Sequence, residues 1–319
     1  MPRPHAPRTR VSTYLSDWMP TGDTTRQKFG YFGGGTISGS KTDAIAKIAF
    51  PADTLTSLAA VLTSIVGELA GMADSGVAGY CGGGNNAGDL NRIDKITFPA
   101  DTKTTLSATL TANRSDLAAM ANSSVAGYFG GGGGSLTSGI DKITFPADTK
   151  TTLSATLSSA RYVLAGMANS SVAGYFGGGY DSAPISGIDK ITFPADTKTT
   201  LSATLTSARY YLAGMADSGV AGYFAGGIDA VDTISGIDKI AFPADTKTTL
   251  VATLTTARQK PAGMADTGVA GYIGGGQDVG GFVSGIDKIS FPADTKTTLS
   301  ATLSPARRSA AGFADCGVF

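Results

Sequence analysis

Histidine is almost missing from this chain of 319 residues: there is one, His5, near the N-terminus. That excludes a metal centre built from clustered histidines, and a Ser-His-Asp or Cys-His nucleophile anywhere later in the chain. Cysteine is as scarce. Cys81 and Cys316 are two free small hydrophobes and no disulfide scaffold. Charged residues make up 16% and the net charge is zero, so no global field attracts nucleic acid. No apolar run approaches the roughly 18 residues of a membrane-crossing helix. The first ten residues, MPRPHAPRTR, carry basic side chains with no apolar stretch behind them, so no secretory signal is expected.

What the chain has in abundance is glycine, 44 residues, placed at recurring positions. The tetrapeptide FPAD recurs at Phe50, Phe98, Phe145, Phe193, Phe242 and Phe291, spaced 48, 47, 48, 49 and 49 residues apart. A period of roughly 40 to 50 residues marks a propeller blade or a solenoid repeat. Residues 1–25 precede the repeat. Pro2, Pro4 and Pro7 alternate there with Arg3, Arg8 and Arg10, a composition for an extended arm, with Tyr14 and Trp18 as its anchors. Residues 26–319 form the repeat domain.

Each unit parses into four strands. The first is LAGMAD, as at Leu212 to Asp217, and the second VAGYF, as at Val220 to Phe224, ending in glycines. The third is IDKITF, stopped by Pro-Ala-Asp-Thr, and the fourth TTLSATL, leading through Ala-Arg to the next unit. Thr, Val, Ile, Tyr and Phe favour strands, and the Gly, Pro and Asp clusters favour turns. A helix over TTLSATLTSAR would leave too few strands for the period. The series Met72, Met120, Met167, Met215 and Met264, with Phe313 in the last copy, holds one position of the small-residue first strand and reads as core.

Counting copies predicts closure. The chain enters the repeat on a second strand, at Lys28 to Phe32, and leaves it on a first strand, at Ala311 to Asp315. One C-terminal and three N-terminal strands then complete one blade, giving a six-bladed, all-β propeller without free sheet edges.

The units resemble kelch repeats. The kelch arginine corresponds to Arg114, Arg161, Arg209, Arg258 and Arg307, with Val66 in the first copy. Paired glycines follow the Tyr strand, as at Gly82-Gly83 and Gly177-Gly178. Leu58, Leu106, Leu153, Leu201, Leu250 and Leu299 stand where kelch repeats carry Trp. The wording GYFGGG, variable loop, IDKI-F, DT, L, AR looks like the degenerate kelch-like repeats of virion structural proteins of tailed phages, especially those of cyanobacteria. This resemblance implies a kelch-like propeller in a virion, made in the host cytoplasm.

The carboxylates repeat around the ring: Asp94, Asp141, Asp189, Asp238 and Asp287, and Asp53, Asp101, Asp148, Asp196, Asp245 and Asp294. A catalytic acid pair would break that symmetry. They read instead as turn caps and ion-pair partners of Lys95, Lys142, Lys190, Lys239 and Lys288. The glycine clusters precede no Gly-Lys-Ser and are not phosphate loops, and no calcium-loop spacing surrounds Asp89 or Asp181. The expectation is therefore a non-enzyme without cofactor or metal.

The copies differ in two places. The loop from second to third strand changes in every unit, and so do the links Gly67-Glu68, Ser115-Asp116, Tyr162-Val163, Tyr210-Tyr211, Gln259-Lys260 and Arg308-Ser309. In an up-and-down blade both sets share one face, while the constant turns share the other. The varied face holds Tyr162, Tyr180, Tyr210, Tyr211 and Phe282, residue types suited to interfaces and sugar stacking, with Asp181 and Asp229 as polar neighbours. The function expected is a structural or attachment protein of a phage particle (tail, fibre or decoration). It would bind other virion proteins through Arg3, Arg8, Arg10, Tyr14 and Trp18, and a host-surface glycan through the varied face, with no nucleic acid and no membrane insertion. The alternative is a free carbohydrate-binding, lectin-like propeller. The divergent first repeat argues against a newly duplicated scaffold.

Overall fold

The computed structural model describes residues 27–317, and the arm residues Arg3, Arg8, Arg10, Tyr14 and Trp18 lie outside them. Six four-stranded antiparallel sheets form the blades of one propeller. No described residue is helical. Numbering blades from the one that closes the ring, blade I runs from the centre outward as Ala311–Ala314, Lys28–Gly33, Ala44–Phe50 and Thr54–Val61. Blades II to VI begin with the inner strands Ala70–Asp74, Ala118–Asn122, Ala165–Asn169, Ala213–Asp217 and Ala262–Asp266. In blade I, Phe313 pairs with Tyr31 and Ala311 with Gly33, as the strand count requires.

Inner strands are made of Ala, Gly and Met because they crowd round the axis. Each Met sulfur fills a hollow in the next blade. A Cβ at Gly127 would sit 2.2 Å from Met72 Sδ, and one at Gly222 2.2 Å from Met167 Sδ. Stacked rings continue the seam. Tyr31 lies 5.1 Å from Phe98 of blade II, and Tyr272 of blade VI lies 4.5 Å from Phe50 of blade I. The core is thus a set of seams between blades.

The two carboxylate series have different partners. The FPAD aspartates clasp adjacent blades: Asp148 of blade III accepts from Tyr80 Oη at 2.8 Å and Lys95 Nζ at 2.7 Å, both of blade II. Tyr272 and Lys288 complete the circle on Asp53. The FPAD aspartates are thus the ion-pair partners of Lys95, Lys142, Lys190, Lys239 and Lys288 that the sequence suggests, whereas the strand aspartates meet the buried arginines. Arg114–Asp141, Arg161–Asp189, Arg209–Asp238 and Arg258–Asp287 lie 2.7, 2.8, 3.0 and 2.9 Å apart. Alternation explains the division: Asp141 and Lys142 are consecutive on a strand and point to opposite sides. Two blades deviate. Val66 replaces the arginine in blade II, and Arg92 takes over at 3.5 Å from Asp94. In blade I the arginine is Arg307, and Ala46 occupies the aspartate position.

In blades II to VI the fourth strand is shorter than expected, at four residues. In blade IV it covers only Thr197–Thr200, and Leu-Ser-Ala-Thr-Leu runs on without strand pairing. Its partner strand Ile188–Thr192 supplies just that much ladder, and the chain then bends so that the next link reaches the following blade. Cys81 is buried in blade II and Cys316 is half-buried beyond the last strand; both are free. Burial pushes both thiols up, so native protein should alkylate slowly and show no Cys81–Cys316 crosslink under non-reducing mass spectrometry. A crosslink would contradict this placement.

Candidate functional site

The varied loops and links do lie together on one face, and the structure sorts each link into two positions. A buried arginine anchors the link, as Arg209 does through Nη2 to Phe224 O and Asp238. The next residue turns outward and pairs with the loop between second and third strands. Tyr210 bridges Ile228, Tyr162 bridges Tyr180, Gln259 bridges Gln277, Gly67 bridges Asn85, and Arg308 bridges Thr36. The following residue turns inward to the axis in a left-handed conformation: Glu68, Asp116, Val163, Tyr211, Lys260 and Ser309 have φ between 52° and 63°. That region is costly for a β-branched residue such as Val163.

A closed circle of backbone hydrogen bonds holds them there. Asp116 N–H donates to Glu68 O, Val163 to Asp116, Tyr211 to Val163, Lys260 to Tyr211, Ser309 to Lys260 and Glu68 to Ser309, at 2.7 to 3.0 Å. The geometry is sixfold while the side chains are all different. They ring a mouth of about 90 Å³ floored by Leu69, Leu117, Leu164, Leu212, Pro261 and Ala310.

The mouth's charges are unevenly placed. Lys260 Nζ stands 3.9 Å from Glu68 and 4.0 Å from the Tyr211 ring centroid. Burial lowers the Lys260 ammonium from its ordinary value. Burial, and next the charge of Glu68, push the Asp116 carboxyl up to about 7, with Asp89 adding to the rise and Lys260 and Lys41 opposing it. Between its unfolded value of 3.8 and about 7, the native state therefore binds the Asp116 proton more tightly than the unfolded chain does. Stability falls as pH rises through that window. The melting temperature of Asp116→Asn should vary less over it than that of wild type; equal pH profiles would contradict the assignment.

Four of the sequence-chosen aromatics form one chain of rings. Tyr162 and Tyr180 meet edge-on at 5.9 Å, Tyr180 and Tyr210 at 5.1 Å, and Tyr210 and Tyr211 at 5.1 Å. All are half-buried. They span adjoining blades and end at the mouth. Phe282 stands apart, under the Arg308 guanidinium at 5.2 Å. Asp181 and Asp229 spend their carboxylates on their own loops. Asp181 accepts from Ala183 N–H, and Asp229 from the N–H groups of Val231 and Asp232 at 2.8 and 2.9 Å. Sequence reading had not singled out Glu68, Asp116 and Lys260 as site residues. Their signal was present as the second residue of each link, but only the closed circle brings them together.

Among known proteins, no family's sequence pattern matches the chain, and no curated protein does. Solved structures do. The structure of YjhT superposes with a TM-score of 0.67 at 12% identity, covering 86% of this chain and 98% of that one. The six-bladed propeller is thus shared with a solved protein. At this identity the likeness concerns fold alone.

Proposed function

We propose that this protein is a non-enzymatic attachment module of a tailed-phage particle: a rigid ring that engages a partner through its varied face, with residues 1–25 as the anchoring arm. The observation that carries the docking role is the ring chain Tyr162–Tyr180–Tyr210–Tyr211 running to the axial mouth. Tyrosine brings large contact area at low entropy cost and concentrates binding energy at interfaces. The turns of the constant face, Ser218-Gly219 and its equivalents, carry no aromatic side chain among the described residues. The resemblance of the repeat to kelch-like virion proteins supports the phage setting.

Replacing Tyr162, Tyr210 and Tyr211 together by Ala should leave the melting temperature nearly unchanged, because the rings lie outside the seams between blades. Adsorption to host cells should weaken by about 2 kcal/mol or more, a factor of roughly thirty. Deleting residues 1–25 should abolish incorporation into particles and leave melting unchanged. A triple variant that incorporates and adsorbs like wild type would reduce the ring to a passive spacer.

The ring chain also favours a second reading, a free lectin. Half-exposed tyrosine rings stack on sugar faces, and Glu68 and Lys260 at the mouth suit hydroxyl groups. Binding of the isolated protein to a glycan array, lost in the same triple variant, would favour it over a docking site for another virion protein.

A further inference from the structure

In blades III to V, one strand aspartate sits in a fixed cage of donors. Asp141 accepts from Thr111 N–H at 2.9 Å, Thr111 Oγ1 at 2.6 Å, Thr152 Oγ1 at 2.8 Å and Arg114 Nη2 at 2.7 Å. Asp238 repeats the set with Thr206, Thr249 and Arg209. Asp189 shows that serine serves as well, accepting from Ser158 N–H and Oγ at 2.8 and 2.9 Å.

Blade I keeps the cage and lacks the carboxylate. The aspartate position is Ala46, paired with Ser57 where Asp141 pairs with Thr152. Ser304 replaces Thr111 in the link, and Arg307, 2% exposed, replaces Arg114. The guanidinium takes the usual seat. Arg307 Nη1 donates to Gly34 O at 3.3 Å and Ala44 O at 3.2 Å, the positions that Gly131 and Gly139 hold for Arg114. The other four buried arginines each feel an aspartate that opposes desolvation; burial alone acts on Arg307. A cavity of about 120 Å³ lies where the side chain is missing, lined by Ala46, Leu55, Thr56, Ser57, Thr302 and Ser304. Ser57, Thr302 and Ser304 are exposed, so it is open to solvent.

From this the geometry points to a small-anion site in blade I, in which a free monocarboxylate of formate or acetate size takes the place of the absent aspartate. Ser304 N–H and the hydroxyls of Ser304 and Ser57 supply the hydrogen bonds, and the Arg307 guanidinium supplies the charge. A buried guanidinium without a counter-charge is costly, and an anion bound only by the folded ring stabilises it by mass action. The site is independent of the tyrosine face.

The test is thermal melting of the full chain in sodium formate, at constant ionic strength set with sodium gluconate, whose anion is too large for the cavity. Wild type should show a saturable rise in melting temperature. Ala46→Asp should melt higher than wild type without formate and not respond to it. Ser57→Ala with Ser304→Ala, at exposed positions, should still fold and need about tenfold more formate for half the rise. Should Ala46→Asp not fold, the double variant decides alone. No saturable rise in wild type, a full response in Ala46→Asp, or an unshifted half-point in the double variant would each overturn the site.

Discussion

A chain ending at Arg308 should melt far below the full-length protein or not fold at all. The deletion removes the innermost strand of blade I, Ala311–Ala314, and with it the closure of the ring. Phe313 is fully buried and stacks on Tyr31 at 5.1 Å. Its loss alone is comparable to a Phe→Ala change in a core, about 3 to 5 kcal/mol. The strand Lys28–Gly33 would become an unpaired edge. Phe29 would lose its two backbone links to Asp315, N–H to Oδ1 at 2.8 Å and carbonyl to Asp315 N–H at 2.9 Å. The axial circle would open, because Ser309 both accepts from Glu68 and donates to Lys260. Set against a total stability of about 5 to 15 kcal/mol, these losses together are close to unfolding. Unchanged melting of the truncated protein, followed by calorimetry, would disprove closure by this strand.

The second large effect is expected from one buried guanidinium. Arg209 and Asp238 lie 3.0 Å apart with side chains 2% and 1% exposed, while Lys247 approaches the same carboxylate at 3.7 Å from a side chain 25% exposed. Burial alone would raise the Asp238 carboxyl, yet hydrogen bonds from Thr206 and the charge of Arg209 hold it below its ordinary value. It therefore stays ionised at neutral pH, and removing Arg209 leaves a buried charge without its main counter-charge. Arg209→Met should cost about 3 to 5 kcal/mol, and Lys247→Met under about 1 kcal/mol. Denaturant titrations of the two variants give the comparison directly. Equal costs would mean that water screens the buried pair as well as the exposed one.

Strand content, blade number and closure were all legible in the sequence. The period, the glycine-ended GYFGGG segments and the inventory of strand copies require that Ala311 to Asp315 meet Lys28 to Phe32, and they do. The varied face was legible too, since near-identical copies show their differences directly. Partner identity was not. The sequence offers both aspartate series to the same five lysines, and alternation decides between them: it sends Lys95 to Asp148 of the following blade and leaves Asp94 to an arginine. The end of the fourth strand was misjudged because Thr, Leu and Ala carry no stop signal, and the length of the third strand sets where the ladder ends. Tertiary structure alone divides each link into an outward and an inward residue. The left-handed turn that does so is stabilised by hydrogen bonds from one blade to the next, round a circle that exists only once the ring has closed. Ala46 shows the same division: the substitution is visible in the sequence, but the buried guanidinium and the donors facing the gap come together only by folding, from segments more than 240 residues apart.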